Sequence, residues 1–190
     1  MSSPERADQT ACSAALVEET PDAALVANLG AAAYHLAAAA DRPRNLYLTG
    51  AMGCTTPVGL GLALAVDEPV TVLEGDGSLL MSLGCLSTVA AAAPATLTVV
   101  VMNNAVYDTT GGQPSNAVHV DFAAVAADCG LASAAVSTVE GLRTAYREAQ
   151  REDGPVLIDC AVEPGLPDDH PPIDYAHAYA KHRFRSAFVH

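Results

Sequence analysis

Short apolar runs alternate with longer alanine-rich stretches from one end of this chain to the other. The short runs predict strands and the longer stretches predict helices, because a buried strand needs only a few consecutive apolar residues. Strands that alternate with helices indicate an α/β fold, with a doubly wound parallel sheet and helices on both faces. The predicted strands cover residues 24–27, 46–48, 70–73, 97–102, 133–136 and 156–160. The predicted helices cover residues 11–19, 31–40, 56–66, 121–128 and 173–183, with a helix-like stretch after Ser78 and a helix beginning at Thr138.

The chain has 190 residues, which is enough for one α/β domain with its own core. We expect this domain to cover residues 11–165. Residues 1–10 are polar and are predicted to be disordered. Residues 166–190 combine a proline-rich segment with the last predicted helix.

Acidic residues outnumber basic ones, with 22 Asp and Glu against 9 Lys and Arg, so the formal net charge is −13. This charge argues against nucleic acid or an anionic membrane as a partner, since both attract basic proteins. The five cysteines form no CxxC pair, which indicates a reduced, cytoplasmic chain. The charge-free stretch from Gly77 to Tyr107 resembles a membrane span in hydropathy. Pro94 and the asparagines near its end instead favour a buried helix and a buried strand.

Two of the predicted strands end in polar residues that can bind a metal ion. One leads into Gly75-Asp76-Gly77-Ser78, and the next leads into Asn103-Asn104. The carboxyl ends of parallel strands lie at one edge of a sheet, so this arrangement brings a carboxylate and an amide together. Such oxygen ligands beside a helix N-terminus suit a hard divalent cation that carries a phosphate. The alternative is a plain glycine turn and a capping role for the asparagines.

The combination of GDGS, a helix-strand interval and NN-x-x-Tyr resembles the cofactor signature of thiamine-diphosphate enzymes. The resemblance implies that Asp76 and Asn104 bind a Mg²⁺ ion that holds the diphosphate of thiamine diphosphate. It also implies that the backbone carbonyl of Val106 is the third protein ligand of this ion. The surrounding residues would then contact the cofactor, and these are Gly75, Gly77, Ser78 and Tyr107.

The segment Gly50-Ala51-Met52-Gly53 resembles the part of the same family that bends the cofactor. By this resemblance, the Gly50 carbonyl accepts a hydrogen bond from the 4′-amino group, and Met52 is the apolar wedge beneath the bent cofactor. A glycine lets the backbone approach closely, and a methionine fills an irregular gap. Ordinary core packing is the alternative for Met52.

No residue of this chain is a candidate for the activating glutamate of the family. That glutamate lies in a separate pyrimidine-binding domain, and the whole of this chain resembles the diphosphate-binding domain alone. The glutamates available here do not stand in the family's sequence context, and they include Glu18, Glu19, Glu68 and Glu74. The resemblance therefore implies a hetero-oligomer in which a pyrimidine-binding partner subunit supplies the catalytic glutamate.

Within the thiamine-diphosphate enzymes, residues 26–30, 50–53 and 107–114 resemble the sulfopyruvate and phosphonopyruvate decarboxylases. Residues 31–34 depart from the pattern expected of both. The resemblance implies a two-subunit 2-oxo acid decarboxylase that converts sulfopyruvate to sulfoacetaldehyde and CO2. The alternatives are phosphonopyruvate decarboxylation, another split 2-oxo acid decarboxylase, and a cofactor-binding or regulatory subunit without turnover.

Both substrates end in a strong anion, which requires hydrogen-bond donors or positive charge. The candidates lie in the loop after the second metal-binding strand, and they are Thr109, Thr110 and Gln113, with Asn116 and His119 as further donors. The row of Arg143, Arg147 and Arg151 is expected to form a solvated helix face. We assign no role to the histidines of the tail.

Overall fold

Six parallel strands form the central sheet of the computed structural model, which describes residues 6–173 and 175–188. These strands are β1 (Ala24–Ala27), β2 (Asn45–Tyr47), β3 (Val70–Gly75), β4 (Leu97–Asn103), β7 (Ala132–Val136) and β8 (Val156–Ala161). Their order in the sheet is β2-β1-β3-β4-β8-β7. A separate antiparallel pair consists of β5 (Val106–Tyr107) and β6 (Gln113–Pro114). The predicted α/β fold with a parallel sheet is confirmed.

Helices cover both faces of this sheet, as predicted for a doubly wound fold. One face carries α1 (Gln9–Glu19), α2 (Ala31–Ala40) and α7 (Val139–Ala149), and the other carries α3 (Thr55–Ala63), α5 (Cys85–Ala92) and α6 (Phe122–Cys129). Neighbouring residues of one strand enter different cores, since Leu73 packs on the α1 side and Val72 on the α3 side. The central strands are therefore mostly apolar on both faces, which explains why their sequences do not alternate between apolar and polar residues.

Several predicted boundaries are confirmed. β1 and α2 have the predicted ends, and Asp121 and Thr138 cap the helices that follow them. Asp121 accepts a hydrogen bond from the Ala124 amide at 2.9 Å, and Thr138 accepts one from the Gly141 amide at 3.0 Å.

Other predicted boundaries were wrong. α3 ends at Ala63 rather than at residue 66. The last helix, α8 (His177–Arg185), begins four residues later than predicted and ends two residues later. The expected disorder of residues 1–10 is wrong for the described part, because Arg6 donates a hydrogen bond to the Val162 carbonyl at 2.9 Å and α1 begins at Gln9. Residues 1–5 lie outside the described part.

The charge-free stretch 77–107 forms two short helices and a buried strand rather than one helix and a strand. α4 (Asp76–Met81) directly follows β3, and α5 begins at Cys85 after a turn. β4 then lies in the middle of the sheet with its side chains buried up to Met102. Within residues 6–173 and 175–188, no helix combines the length and the apolar character that crossing a membrane requires.

The predicted arginine row lies at the surface, where two of its members pair with helix α1. Arg143 contacts Glu19 at 2.6 Å and Glu18 at 2.8 Å, and Arg147 contacts Glu19 at 2.6 Å. Arg151 is exposed. These ion pairs join α1 to α7 on the outer side of the sheet, away from the carboxyl ends of β3 and β4.

The chain changes direction across the sheet next to β1. It passes from β1 to β2 on one side and then to β3 on the other side of β1, where the strands continue towards β4. A doubly wound sheet opens a crevice at such a switch point, outside the carboxyl ends of the strands. The residues that follow β1 and β3 are therefore placed at a potential ligand-binding crevice.

Candidate functional site

A cavity occupies this crevice, and most of the predicted site residues line it. They come from the loop before α3, from the β3–α4 junction and from the segment after β4. The lining residues among those predicted are Met52, Gly75, Asp76, Gly77, Ser78, Asn104, Val106, Tyr107, Thr109 and Thr110. Their binding roles remain predictions, but residues distant in sequence do share one cavity.

Five predicted residues do not line this cavity, namely Gly50, Ala51, Gln113, Asn116 and His119. Gly50 and Ala51 are exposed in the loop between β2 and α3, which also carries Met52. The Gln113 side chain instead donates a hydrogen bond to the Thr110 carbonyl at 2.8 Å. This contact directs the exposed Gln113 side chain towards its own hairpin, so a role in substrate recognition would require the side chain to turn.

The glycines of the GDGS motif are required by close neighbours. A Cβ atom on Gly75 would lie 2.8 Å from the Asn28 amide nitrogen, and one on Gly77 would lie 2.2 Å from a ring carbon of Tyr107. Contacts this short do not occur in real structures, so a larger residue would displace Asn28 or the Tyr107 ring. The motif thus lets side chains from two other segments approach the backbone on either side of Asp76.

Asp76 is the first residue of α4 and is only 2% exposed. Its carboxylate accepts a hydrogen bond from the Ser115 hydroxyl, and Ser115 is itself buried. Burial raises the pKa of Asp76, because an ionised carboxylate loses solvation inside the protein, while the bond from Ser115 acts in the opposite direction. A divalent cation at this position would favour the ionised form further.

The amide of Asn104 is held in a tight turn. Its nitrogen donates to the Asp108 carboxylate at 2.6 Å, and its oxygen accepts from the Val106 amide at 3.1 Å. Ala105 between them has a left-handed backbone with φ of 65°. This conformation is unfavourable for a residue with a side chain. The turn places both predicted ligand groups, the Asn104 side chain and the Val106 backbone, beside one another.

The segment before α3 also contains residues with a left-handed backbone, and a hydrogen bond joins it to the GDGS motif. Ala51 has a φ of 62° and Gly53 a φ of 81°, both in the left-handed region. The Gly53 amide donates a hydrogen bond to the Ser78 hydroxyl at 2.8 Å. Met52 lies between these two residues and reaches the cavity. Ser78 therefore stabilises the conformation that presents Met52.

Sequence reasoning missed several residues of this site. Ser115 and Asp108, which contact Asp76 and Asn104, stand in a loop without any local signal for these contacts. Asn28 could have been found, because it directly follows a predicted strand at the sheet edge that forms the site. The other lining residues that were not predicted are Gln9, Leu29, Ala31, Ala32 and Met102.

The donor set of the cavity suits a divalent cation with a phosphate-bearing ligand. The described residues that line it include the carboxylates of Asp76 and Asp108 but no Arg, Lys or His. An anionic ligand would be repelled by these carboxylates unless a cation came between them. Asp76, Asn104 and the carbonyl of Val106 supply the oxygen atoms that a hard cation prefers, so the residues present fit a magnesium diphosphate group.

The fold and this crevice define the chain as an α/β cofactor-binding domain. Its residues 26–160 match the family described as the thiamine pyrophosphate enzyme, C-terminal TPP binding domain. The chain therefore belongs to this family, in agreement with the resemblance of the GDGS and NN motifs.

Two groups of relatives are similar over most of this chain. It is 44% identical to the phosphonopyruvate decarboxylase of Streptomyces viridochromogenes, over 80% of this chain and 39% of that protein. It is 34% identical to the sulfopyruvate decarboxylase subunit beta of Methanococcus maripaludis, over 90% of this chain and 92% of that subunit. The chain thus spans well under half of the first relative and nearly all of the second.

A solved structure with the same fold is the thiamine diphosphate-dependent 4-hydroxybenzoylformate decarboxylase of Rhodococcus jostii. The two structures superpose with a TM-score of 0.72 at 22% sequence identity. The match covers 89% of this chain and 34% of that chain. At this identity the similarity concerns the fold alone, and it confirms the predicted α/β fold.

Proposed function

We propose that this chain is the diphosphate-binding subunit of a two-subunit, thiamine-diphosphate-dependent decarboxylase that converts sulfopyruvate to sulfoacetaldehyde and CO2. The observation that carries the cofactor assignment is the donor set of the crevice. The lining residues described include the oxygen donors that follow strands β3 and β4, and they include no basic side chain. The similarity to a relative named sulfopyruvate decarboxylase subunit beta supports the division into two subunits.

In this proposal the chain holds the metal ion with three oxygen donors. The carboxylate of Asp76 is presented by α4 and oriented by Ser115. Asn104 and the carbonyl of Val106 approach from the turn after β4. The ion is Mg²⁺, because carboxylate, amide and carbonyl oxygens together with a diphosphate form the coordination that Mg²⁺ prefers.

The same chain would shape the thiamine side of the site. Thiamine diphosphate, when bound, supplies the electron sink that loss of CO2 from a 2-oxo acid requires. Gly50 would offer its backbone carbonyl to the amino group of the pyrimidine, and Met52 would pack against the cofactor from the lining of the cavity. Thr109 would offer a hydroxyl donor to the substrate, and the Thr110 hydroxyl, which donates to the Gln113 side chain at 3.1 Å, would have to turn from Gln113 to the substrate.

We assign the activating glutamate to a pyrimidine-binding partner subunit, because no glutamate described here faces the cavity. Glu19 is engaged by Arg143 and Arg147 on the outer side of α1. Glu68 precedes β3 and thus lies at the opposite end of this strand from Asp76. Glu74 is fully buried and directed towards α3. We place the assembly in the cytoplasm, where its five unpaired cysteines stay reduced.

Phosphonopyruvate is the second candidate substrate, and the 44% identity to a phosphonopyruvate decarboxylase favours it. The two substrates differ only in the terminal anion, so the lining of the crevice is compatible with both.

The test is turnover of the purified chain with Mg²⁺ and thiamine diphosphate, with and without its partner subunit, on both substrates. We expect CO2 release only from the assembled protein, with a higher kcat/KM for sulfopyruvate. A preference for phosphonopyruvate would establish the second candidate. Full activity of the isolated chain would contradict the assignment of the glutamate to a partner.

A further inference from the structure

Glu74 is a buried carboxylate that the proposed function does not use. It is 0% exposed and stands on β3, two residues before Asp76. One carboxylate oxygen accepts two hydrogen bonds from Thr56, from the backbone amide at 2.9 Å and from the hydroxyl at 2.8 Å. The other oxygen accepts from the Gly75 amide at 3.2 Å. A charged side chain that is buried with three donors has a defined structural task.

The first part of this task is to cap helix α3. The residue before this helix, Cys54, makes no capping hydrogen bond with its side chain. The carboxylate of Glu74, which lies on β3, performs this role instead. It accepts a hydrogen bond from the amide of Thr56, in the first turn of the helix. A negative charge is favoured there, because the free amides of a helix N-terminus carry partial positive charge.

Helix α3 also packs closely against the face of β3 that carries Glu74. A Cβ atom on Gly59 would lie 2.1 Å from a methyl carbon of Val72, so the helix and the strand approach more closely than a side chain permits. Val72 and Glu74 are two residues apart and share one face of the strand. The strand therefore holds the helix at two points, one by packing and one by hydrogen bonds.

Residues 50–56, which lead into the first turn of α3, include the residues expected to contact the thiamine rings. Three hydrogen bonds hold this segment: Gly53 donates to Ser78, Thr55 donates to Asn28 at 3.0 Å, and Thr56 donates to Glu74. Of these three acceptors only Glu74 is a carboxylic acid side chain, and it accepts two hydrogen bonds from Thr56.

We propose that Glu74 is a positioning residue that fixes the segment 50–56 relative to the diphosphate-binding residue Asp76. This inference rests on the proposed cofactor. A ligand that is anchored at both ends binds tightly only if the two sets of contacts stand at the correct separation. Glu74 sets this separation, because it lies two residues before Asp76 and accepts hydrogen bonds from the segment that carries Gly50 and Met52.

The experiment compares two ligands on the full chain with Mg²⁺, namely thiamine diphosphate and inorganic pyrophosphate. Calorimetry gives both dissociation constants, and the readout is the ratio of the pyrophosphate constant to the thiamine diphosphate constant. Pyrophosphate reports only on the diphosphate end, so a positioning role changes the ratio. A general loss of folding or of metal binding would weaken both ligands equally.

We expect the wild type to bind thiamine diphosphate at least about 10-fold more tightly than pyrophosphate. In Glu74→Gln the ratio should fall about 10-fold, because an acceptor oxygen is replaced by an amide nitrogen that faces another donor. Thr56→Val, which keeps the carboxylate and the backbone amide, should lower the ratio about 3-fold. The matched control is Thr71→Val, a buried polar residue on the opposite face of β3, which should leave the ratio unchanged.

Hydrogen exchange of the ligand-free chain gives a second readout. Faster exchange in residues 50–60 of Glu74→Gln, with unchanged exchange in β4, supports the proposal. An unchanged ratio in both Glu74→Gln and Thr56→Val overturns the positioning role and leaves the proposed function standing. A wild-type chain that binds neither ligand overturns both.

Discussion

The hydroxyl of Ser115 donates a hydrogen bond to the carboxylate of Asp76, although the two residues are 39 positions apart. Both side chains are almost completely buried. This contact fixes the orientation of the carboxylate at the start of α4, where the proposed metal ion binds. Ser115 is therefore part of the site through its effect on a ligand rather than through contact with the ion.

Removing this hydroxyl should weaken metal binding. In Ser115→Ala we expect the Mg²⁺ concentration that gives half-maximal thiamine diphosphate binding to rise about 10-fold. Residues that hydrogen-bond to metal ligands typically contribute this much to metal affinity. The measurement is a Mg²⁺ titration at a fixed cofactor concentration. Ser87→Ala, an exposed serine on α5, is the control and should bind Mg²⁺ as the wild type does.

Met52 should affect turnover more than cofactor affinity, because its proposed role is to hold the cofactor in its bent form. In Met52→Ala we expect kcat of the assembled enzyme to fall about 10- to 100-fold, as for other losses of alignment. The dissociation constant of thiamine diphosphate should change by less than about 3-fold, since the diphosphate end is untouched. Equal turnover in variant and wild type would make Met52 an ordinary core residue.

Two glycines of α3 should respond in opposite ways to the same substitution. Gly59→Ala should destabilise the chain by about 1–3 kcal/mol, because its new Cβ would meet Val72 at 2.1 Å. Gly61→Ala should stabilise it by about 0.5–1 kcal/mol, since this exposed glycine has open space around it and alanine favours a helix. Urea unfolding of the isolated chain measures both, and stabilities that move in the same direction would contradict the close packing of α3 on β3.

The ion pairs between α1 and α7 should make stability sensitive to acid. The bonds from Arg147 and Arg143 lower the pKa of Glu19 from 4.5 to about 2. A lowered pKa in the folded state stabilises the protein above the ordinary pKa, and this contribution disappears as the pH falls from 4.5 to 2. In Glu19→Gln the free energy of unfolding should therefore be lower at neutral pH and less dependent on pH in this window. Denaturant unfolding at pH 7, 4 and 3 tests this, and identical pH profiles would exclude the effect.

The sequence was sufficient for the sheet and for the residues that end its strands. The segments that form β1, β3 and β4 are mostly apolar because both faces of the sheet are covered, and the polar residues that follow them stand out for this reason. The junction between β3 and α4 could be located in the same way, since Gly75 and Gly77 interrupt an otherwise apolar stretch.

The contacts that support these residues could not be predicted. Ser115 reaches Asp76, and Asp108 reaches Asn104, from a loop whose path depends on the Tyr107–Gln113 pairing of β5 and β6. The task of Glu74 was equally hidden, because it depends on the approach of α3 to β3. The contacts of Ser115 and Glu74 join residues that are distant in the sequence, and they follow from the packed fold rather than from the local pattern of the chain.

The central claim is that this chain binds thiamine diphosphate through a divalent cation held by Asp76. Titration of thiamine diphosphate into the purified chain, with Mg²⁺ and then with EDTA, tests it most directly when wild type and Asp76→Asn are compared. The account predicts binding by the wild type in Mg²⁺ only and no binding by Asp76→Asn in either condition. Binding of equal strength by Asp76→Asn, or by the wild type in EDTA, would contradict it.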